Sequence, residues 1–148
     1  GGAQVEQFFL NQLDVSAHPY FERLTGLRVS AHFFIRRDGA CIQFVSCLER
    51  AWHAGASIWR GRSNCNDFSI GIELEGIEGA GFDDAQYARL CELLTSFVGP
   101  AGSIDVAGHE HVSTGRKGDP GCGFDWGRTV AALGWPARCF PEGMVTVT

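Results

Sequence analysis

The span 108–121, GHEHVSTGRKGDPG, gathers two imidazoles, an ammonium and a carboxylate in one loop-length stretch: His109, His111, Lys117 and Asp119. Imidazole nitrogen and carboxylate oxygen are ligands that a borderline metal such as zinc accepts, and a loop lets residues ten positions apart converge. By spacing alone His109 and His111 are rival ligands. A plainer reading competes with both, in which two strand-end histidines sit beside a solvated loop of Arg116, Lys117 and Asp119. Glu73 is the second chemical signal, since it interrupts the otherwise apolar run FSIGIEL at 68–74. A buried carboxylate is costly unless paired, and a raised pKa relieves that cost, which is what a general base near neutral pH requires. Glu75 shares the strand face of Glu73 by its i, i+2 spacing, so an outward-pointing pair on an edge strand is the alternative. His53 lies beside Trp52 and small residues in WHAG, which suits either a pocket wall for a sugar or peptide or simple packing. His32, followed by Phe33 and Phe34, reads as a satisfied core histidine. Cys65 as a thiol nucleophile has no activating neighbour, and Asn66-Asp67 reads as a plain strand-entry turn.

A scaffold of alternating strands and helices must position these groups. Residues 29–36 and 40–45 are rich in Val, Ile and Phe, and Asp38-Gly39 between them predicts a hairpin because both tolerate positive φ. The run 68–74 predicts a third strand and 104–108 a further one. Asp83 opens a helix as a D-x-x-Q capping box with Gln86, and Tyr87, Leu90, Cys91, Leu94 and Phe97 form its buried stripe until Gly99-Pro100. Val5, Phe8, Phe9 and Leu13 fall at helical spacing near the start, and 14–26 is a connector stopped at His18-Pro19. Residues 51–66 show no period and read as a long loop of the kind that carries function. Residues 124–133 predict a last short helix, with an irregular tail after it. Strands interleaved with helices predict one α/β domain over 1–148, a mixed central β-sheet flanked by helices.

The 148 residues, 45% of them apolar, suit a single core. A net charge of -5 with Lys117 as the only lysine excludes the broad positive field of a nucleic-acid binder. Local arginines (Arg36 with Arg37, Arg60 with Arg62, Arg116) suit a small anionic ligand instead. Six cysteines, none spaced C-x-x-C and most in apolar runs, read as small core residues in a reducing compartment. No apolar run approaches ~20 residues and no leader-like segment opens the chain, so neither a membrane span nor a signal peptide is expected. The chain opens on Gly1-Gly2 without Met, from which an N-terminally incomplete domain is expected.

The blocks RVSAHFFIRRDG, AWHAG, CNDFSIGIELEG, FDDAQY and GHEHVSTGRKGDPGCGFDW, in this order and at these separations, resemble the zinc-dependent N-acetylmuramoyl-L-alanine amidases. They look most like the cytoplasmic AmpD type, which cleaves 1,6-anhydromuropeptides during cell-wall recycling. The resemblance extends to about Trp126, and the tail at 129–148 diverges from it. It implies an amidase or peptidoglycan-recognition-like fold, a muropeptide substrate, zinc as cofactor and a cytoplasmic location. Residue by residue, it implies that His109 and Asp119 ligate zinc, that Glu73 is the general base and that Lys117 stabilises the developing oxyanion. It gives His111 no role, and by analogy it makes Arg28 and the Trp52-His53 wall ligand contacts. The family takes a further histidine ligand from a valine-rich strand ahead of the first helix, and this chain starts after that block. Two of the three protein ligands usual for a catalytic zinc are therefore expected here, together with an uncovered sheet edge. A zinc-free peptidoglycan-recognition module of the same fold is the alternative from another functional class. Intact Glu73, Lys117 and Asp119 favour the enzyme, and the absent histidine favours the binder; a remnant without activity is a third reading.

Overall fold

The Asp38-Gly39 turn forms as its residue types dictate. Gly39 takes φ +81, and the Asp38 carboxylate accepts a hydrogen bond from the Ala40 N–H at 2.9 Å. In the computed structural model, which describes residues 7, 12, 14, 16, 29–77, 79–99 and 104–144, this turn joins β1 (Phe33–Ile35) to β2 (Cys41–Gln43). The two strands are antiparallel with Phe34 opposite Ile42. On its other side β1 pairs in parallel with β5 (Ile72–Leu74), with Phe34 opposite Glu73. The sheet is thus mixed, in the order β2-β1-β5, and every residue of β1 is buried. Among the described residues β5 has no strand partner on its second edge.

The strands are shorter than their apolar runs. The Gly71 carbonyl is shared by the His32 and Phe33 N–H groups (2.9 and 3.1 Å), and the His32 carbonyl by those of Phe44 and Val45 (2.9 and 3.5 Å). Such shared bonds close the regular ladder on both sides of β1 at its N-terminal end.

Helix α1 (Asp84–Ser96) packs on the sheet. Half of its expected capping box is made by Gln86, whose Oε1 accepts from the Asp83 N–H at 3.0 Å, while the Asp83 carboxylate pairs with Arg37 at 3.2 Å. The same fully buried Gln86 donates from Nε2 to the carbonyls of Ile35 (3.3 Å) and Glu75 (2.9 Å), tying helix to sheet. Tyr87, Leu90 and Leu94 form the buried stripe and meet Ile35 and Phe124 in the core. Helix α3 (Trp126–Leu133) is capped by Asp125, which accepts from the Arg128 N–H at 2.8 Å.

Three expectations are corrected. Residues 104–108 form no strand, because nothing among the described residues offers them a ladder; Val106 donates a single backbone bond to Cys139 at 2.7 Å. The long loop contains a small hairpin, β3 (Ile58–Trp59) with β4 (Arg62–Ser63), turned at Arg60 (φ 50) and Gly61 (φ 81). His109 and His111 stand on a short helix, α2 (His109–Val112), rather than at a strand end. The helix expected near the start and its connector, with Arg28, lie outside the described residues apart from Gln7, Gln12, Asp14 and Ser16. All six cysteines are unpaired; Cys65 and Cys139 are buried as expected of small core residues, whereas Cys41, Cys47 and Cys122 are exposed and Cys91 is half-buried. No helix among the described residues is long and apolar enough to cross a membrane.

Candidate active site

The loop that carries His53 is held from beneath by Asn66, which is 5% exposed. Its Oδ1 accepts from the backbone N–H groups of His53 (3.0 Å) and Ala54 (2.8 Å), two donors that no strand satisfies. The His53 ring lies directly on Gly71, where an added Cβ would come within 2.3 Å of its Cγ, so glycine is required there. Burial, followed by the neighbouring His32, pulls the His53 pKa down to about 4, against the effect of a hydrogen bond to the Ser69 backbone. His53 is therefore a neutral imidazole at physiological pH, and its Nε2 is buried with no partner among the described residues. His32 is the satisfied core histidine that was expected. Its Nδ1 accepts from the Gly71 N–H and its Nε2 donates to the Glu49 carbonyl, both at 3.0 Å.

The stretch after α2 folds back on its own beginning. Glu110 donates its backbone N–H to the Asp119 carbonyl at 2.8 Å, and Pro120 packs so close to Gly108 that a Cβ there would meet Pro120 Cδ at 2.6 Å. This closure brings His109 and Asp119 together across ten positions, with Nδ1 to Oδ2 at 3.0 Å. The hydrogen bond from His109 is the main cause that holds Asp119 below its ordinary carboxylate range, with burial opposing it. Both side chains line a cavity of about 520 Å³, together with Glu73, His53, Trp59 and Phe124. Burial raises the Glu73 pKa, the Asp119 charge raises it further, and His109 and Lys117 partly offset the rise.

The remaining residues singled out by sequence lie elsewhere. Lys117 is exposed and outside the cavity lining, although its charge acts on both Glu73 and Asp119. His111 turns its Nδ1 to accept from the Gly108 N–H at 3.0 Å and sets its ring edge-on to Trp126. The Trp52-His53 pair is split. His53 faces the cavity, whereas Trp52 is 57% exposed, under the Arg50 guanidinium and outside the lining. Sequence reading passed over Asn66 as a turn residue, and it gave no role to Trp59, whose Nε1 donates to Asp105 at 2.9 Å on the cavity rim. It read Arg116 either as part of a solvated loop or as a contact for a small anionic ligand, whereas its guanidinium reaches the Ala54 carbonyl at 2.6 Å.

The His109–Asp119 pair offers one nitrogen and one oxygen, the donor chemistry zinc accepts, and so fits two of the three protein ligands of a catalytic zinc. Among the described residues no group of three or more His, Cys, Asp or Glu side chains could hold a metal ion. A desolvated carboxylate sharing a cavity with such a donor pair has the composition of a metal-assisted hydrolytic site.

Comparison with known proteins agrees with this chemistry. The family model of N-acetylmuramoyl-L-alanine amidases matches residues 4–122. The chain is 47% identical over 135 residues to the 1,6-anhydro-N-acetylmuramyl-L-alanine amidase AmpD of Citrobacter freundii, covering 90% of this chain and 72% of that protein. It is 45% identical over 130 residues to AmpD of Escherichia coli strain K12, covering 86% and 71%. The crystal structure of a selenomethionine derivative of AmpD superposes with a TM-score of 0.85 at 46% identity, covering 90% of this chain and 75% of that one. The amidase AmiD of Escherichia coli, solved in complex with the substrate anhydro-N-acetylmuramic acid-L-Ala-D-gamma-Glu-L-Lys, matches with a TM-score of 0.60 at 30% identity, covering 77% and 51%.

Proposed function

The chain belongs to the N-acetylmuramoyl-L-alanine amidase family, and from that premise we propose that it hydrolyses the amide between the lactyl group of N-acetylmuramic acid and L-alanine in anhydromuropeptides, as a zinc enzyme of peptidoglycan recycling. The observation that carries this reading is the sharing of one cavity by Glu73, with its raised pKa, and the His109–Asp119 donor pair. In it, His109 and Asp119 hold the metal. Zinc, when bound, supplies Lewis acidity, which acidifies water and polarises the amide carbonyl. Glu73 takes the proton of the attacking water on its carboxylate and returns it to the L-alanine nitrogen as the C–N bond breaks. Lys117 contributes a positive charge near the developing oxyanion. His53 offers an unprotonated Nε2 inside the cavity, suited to accept a hydrogen bond from a substrate N–H or O–H, and by analogy with the family Trp52 and Arg28 are assigned as further ligand contacts. Unpaired cysteines support a reducing compartment, and we place the protein in the cytoplasm.

A panel of three variants tests the roles. On an anhydromuropeptide, Glu73→Gln should lose about 10²- to 10⁴-fold in turnover while keeping its zinc by metal analysis. His109→Ala should lose the zinc, and His111→Ala should keep it. Near-native turnover in Glu73→Gln would remove Glu73 as the base, and equal metal loss in both histidine variants would restore the His-x-His reading of the loop.

A further inference from the structure

Resting on the amidase reading, we propose that Trp126 is a substrate-binding residue whose indole N–H donates a hydrogen bond to a neutral amide carbonyl of the muropeptide, one other than the carbonyl that reacts.

Trp126 Nε1 is buried with no hydrogen-bond partner among the described residues, and its ring lines the same cavity as Glu73. An indole N–H only donates. Buried polar groups are rarely left unmet, because each loses water as the chain folds and recovers nothing until an acceptor arrives. His53 Nε2 is the only other buried side-chain nitrogen or oxygen without a partner among the described residues, and it lines this cavity too. Orphans left by poor packing would be scattered through the core. One donor and one acceptor gathered in a single cavity point to a ligand.

The indole is held in place. Asp125, just before it, donates its N–H to Tyr87 Oη at 2.7 Å and caps the Arg128 N–H at 2.8 Å. Phe124 and His111 meet the ring edge-on, with centroids 4.9 and 5.2 Å away. Gly108 lies against it as well, where an added Cβ would stand 3.3 Å from Cζ2. Cζ2 and Nε1 are bonded to the same ring carbon, so the edge that carries the N–H is the one beside Gly108. The polar groups of Gly108 are already engaged. Its N–H donates to His111 Nδ1 at 3.0 Å, and its carbonyl accepts from the His111 and Val112 N–H groups at 3.0 and 3.4 Å.

The ligand atom must be an acceptor, and the surroundings decide its charge. Glu73, Asp105 and Asp119 line the cavity, and no arginine or lysine does so among the described residues. A single uncharged donor between aromatic rings does not offset the desolvation of a carboxylate, but it matches an amide carbonyl. The lactyl carbonyl belongs to the reacting centre, which leaves the acetamido carbonyl of the sugar and the carbonyls of the peptide.

The test uses the full chain supplied with zinc, as Glu73→Gln so that an anhydromuropeptide binds with little turnover. Saturation should move the Trp126 Nε1–H proton resonance downfield. Replacing the indole by a benzothiophene of the same shape, with sulfur where the N–H was, should weaken binding by about 5- to 100-fold. The melting temperature of the free chain should stay unchanged or rise. Trp126→Phe should show a similar loss of affinity and decides by that measure if the benzothiophene chain does not fold. With Glu73 intact, both replacements should raise KM more than they lower kcat, because this contact is made before and during the reaction alike. Titration with 1,6-anhydro-N-acetylmuramic acid alone and with the dipeptide L-Ala-D-γ-Glu alone tells the acetamido carbonyl from a peptide one, according to which moves the resonance. An unmoved resonance at saturation or native affinity in the benzothiophene chain overturns the proposal. So does a fall of several degrees in its melting temperature, which would mean that the N–H already has a partner inside the protein, and so does an equal shift with acetate. Failure of the amidase reading looks different: the chain with Glu73 intact would bind the anhydromuropeptide with the Trp126 shift and leave it uncleaved. Absence of both binding and cleavage overturns the two together.

Discussion

Glu73 sits where its charged form is least welcome, and the sign of its pKa shift links chemistry to stability. Burial raises its folded pKa above the ordinary value of 4.5. In zinc-free protein its favourable contribution to folding is fully present below that ordinary value and is lost as pH rises through the raised one. Glu73→Gln, neutral at every pH, should therefore melt a few degrees above the native chain at neutral pH in the presence of a chelator, with the gap closing toward pH 4.5. Equal melting temperatures at neutral pH would mean that the folded chain solvates this carboxylate well. At this scale Glu73 and the loop 108–121 stand out by residue type, a glutamate in an apolar strand and imidazoles beside a carboxylate, whereas the pairing of Asp119 with His109 rather than His111 came from the family resemblance and not from spacing. Arg116 and Asn66 do not stand out. Their partners are the Ala54 carbonyl and the His53 and Ala54 N–H groups, and backbone atoms leave no mark in a sequence.

Elements announced by their turns and caps were legible too. Asp38-Gly39 marks the first hairpin, and Asp83 with Gln86 marks the start of α1. The hairpin of β3 and β4 escaped notice because Arg60 adopts a positive φ that its residue type disfavours. The short helix that carries His109 escaped because four residues are too few to show a period. The loop bearing His53 has no period either and takes its shape from Asn66, so Asn66→Ala should leave two inward N–H groups unpaired. A loss of about 1–3 kcal/mol in urea unfolding is expected, with a parallel fall in kcat/KM as His53 moves. Asn66→Asp, which keeps an acceptor, should recover part of both. Native stability in Asn66→Ala would show that water replaces the amide without penalty.

Across the whole molecule, alternating strand and helix patterns were enough to predict a mixed sheet under helices. The parallel partnership of β1 with β5 was not visible, because it joins segments separated by the entire long loop. Phe124 links the parts, with ring centroids 5.3 Å from Tyr87 on α1, 5.8 Å from Phe82 and 4.9 Å from Trp126 on α3, while also lining the cavity. Phe124→Ala should cost about 3–5 kcal/mol in urea unfolding, and activity should fall with it, whereas a stable but inactive variant would separate the core from the site. The cavity walls are thus drawn, in chain order, from the His53 loop, β5, α1, the segment 104–108, α2, Asp119 and Phe124 among others. A ribosome making this chain releases Glu73 well before Asp119 and Phe124. Until Asp119 emerges, Glu73 lacks one of the charges that raise its pKa, so in a partly made chain this carboxylate should titrate closer to its ordinary range.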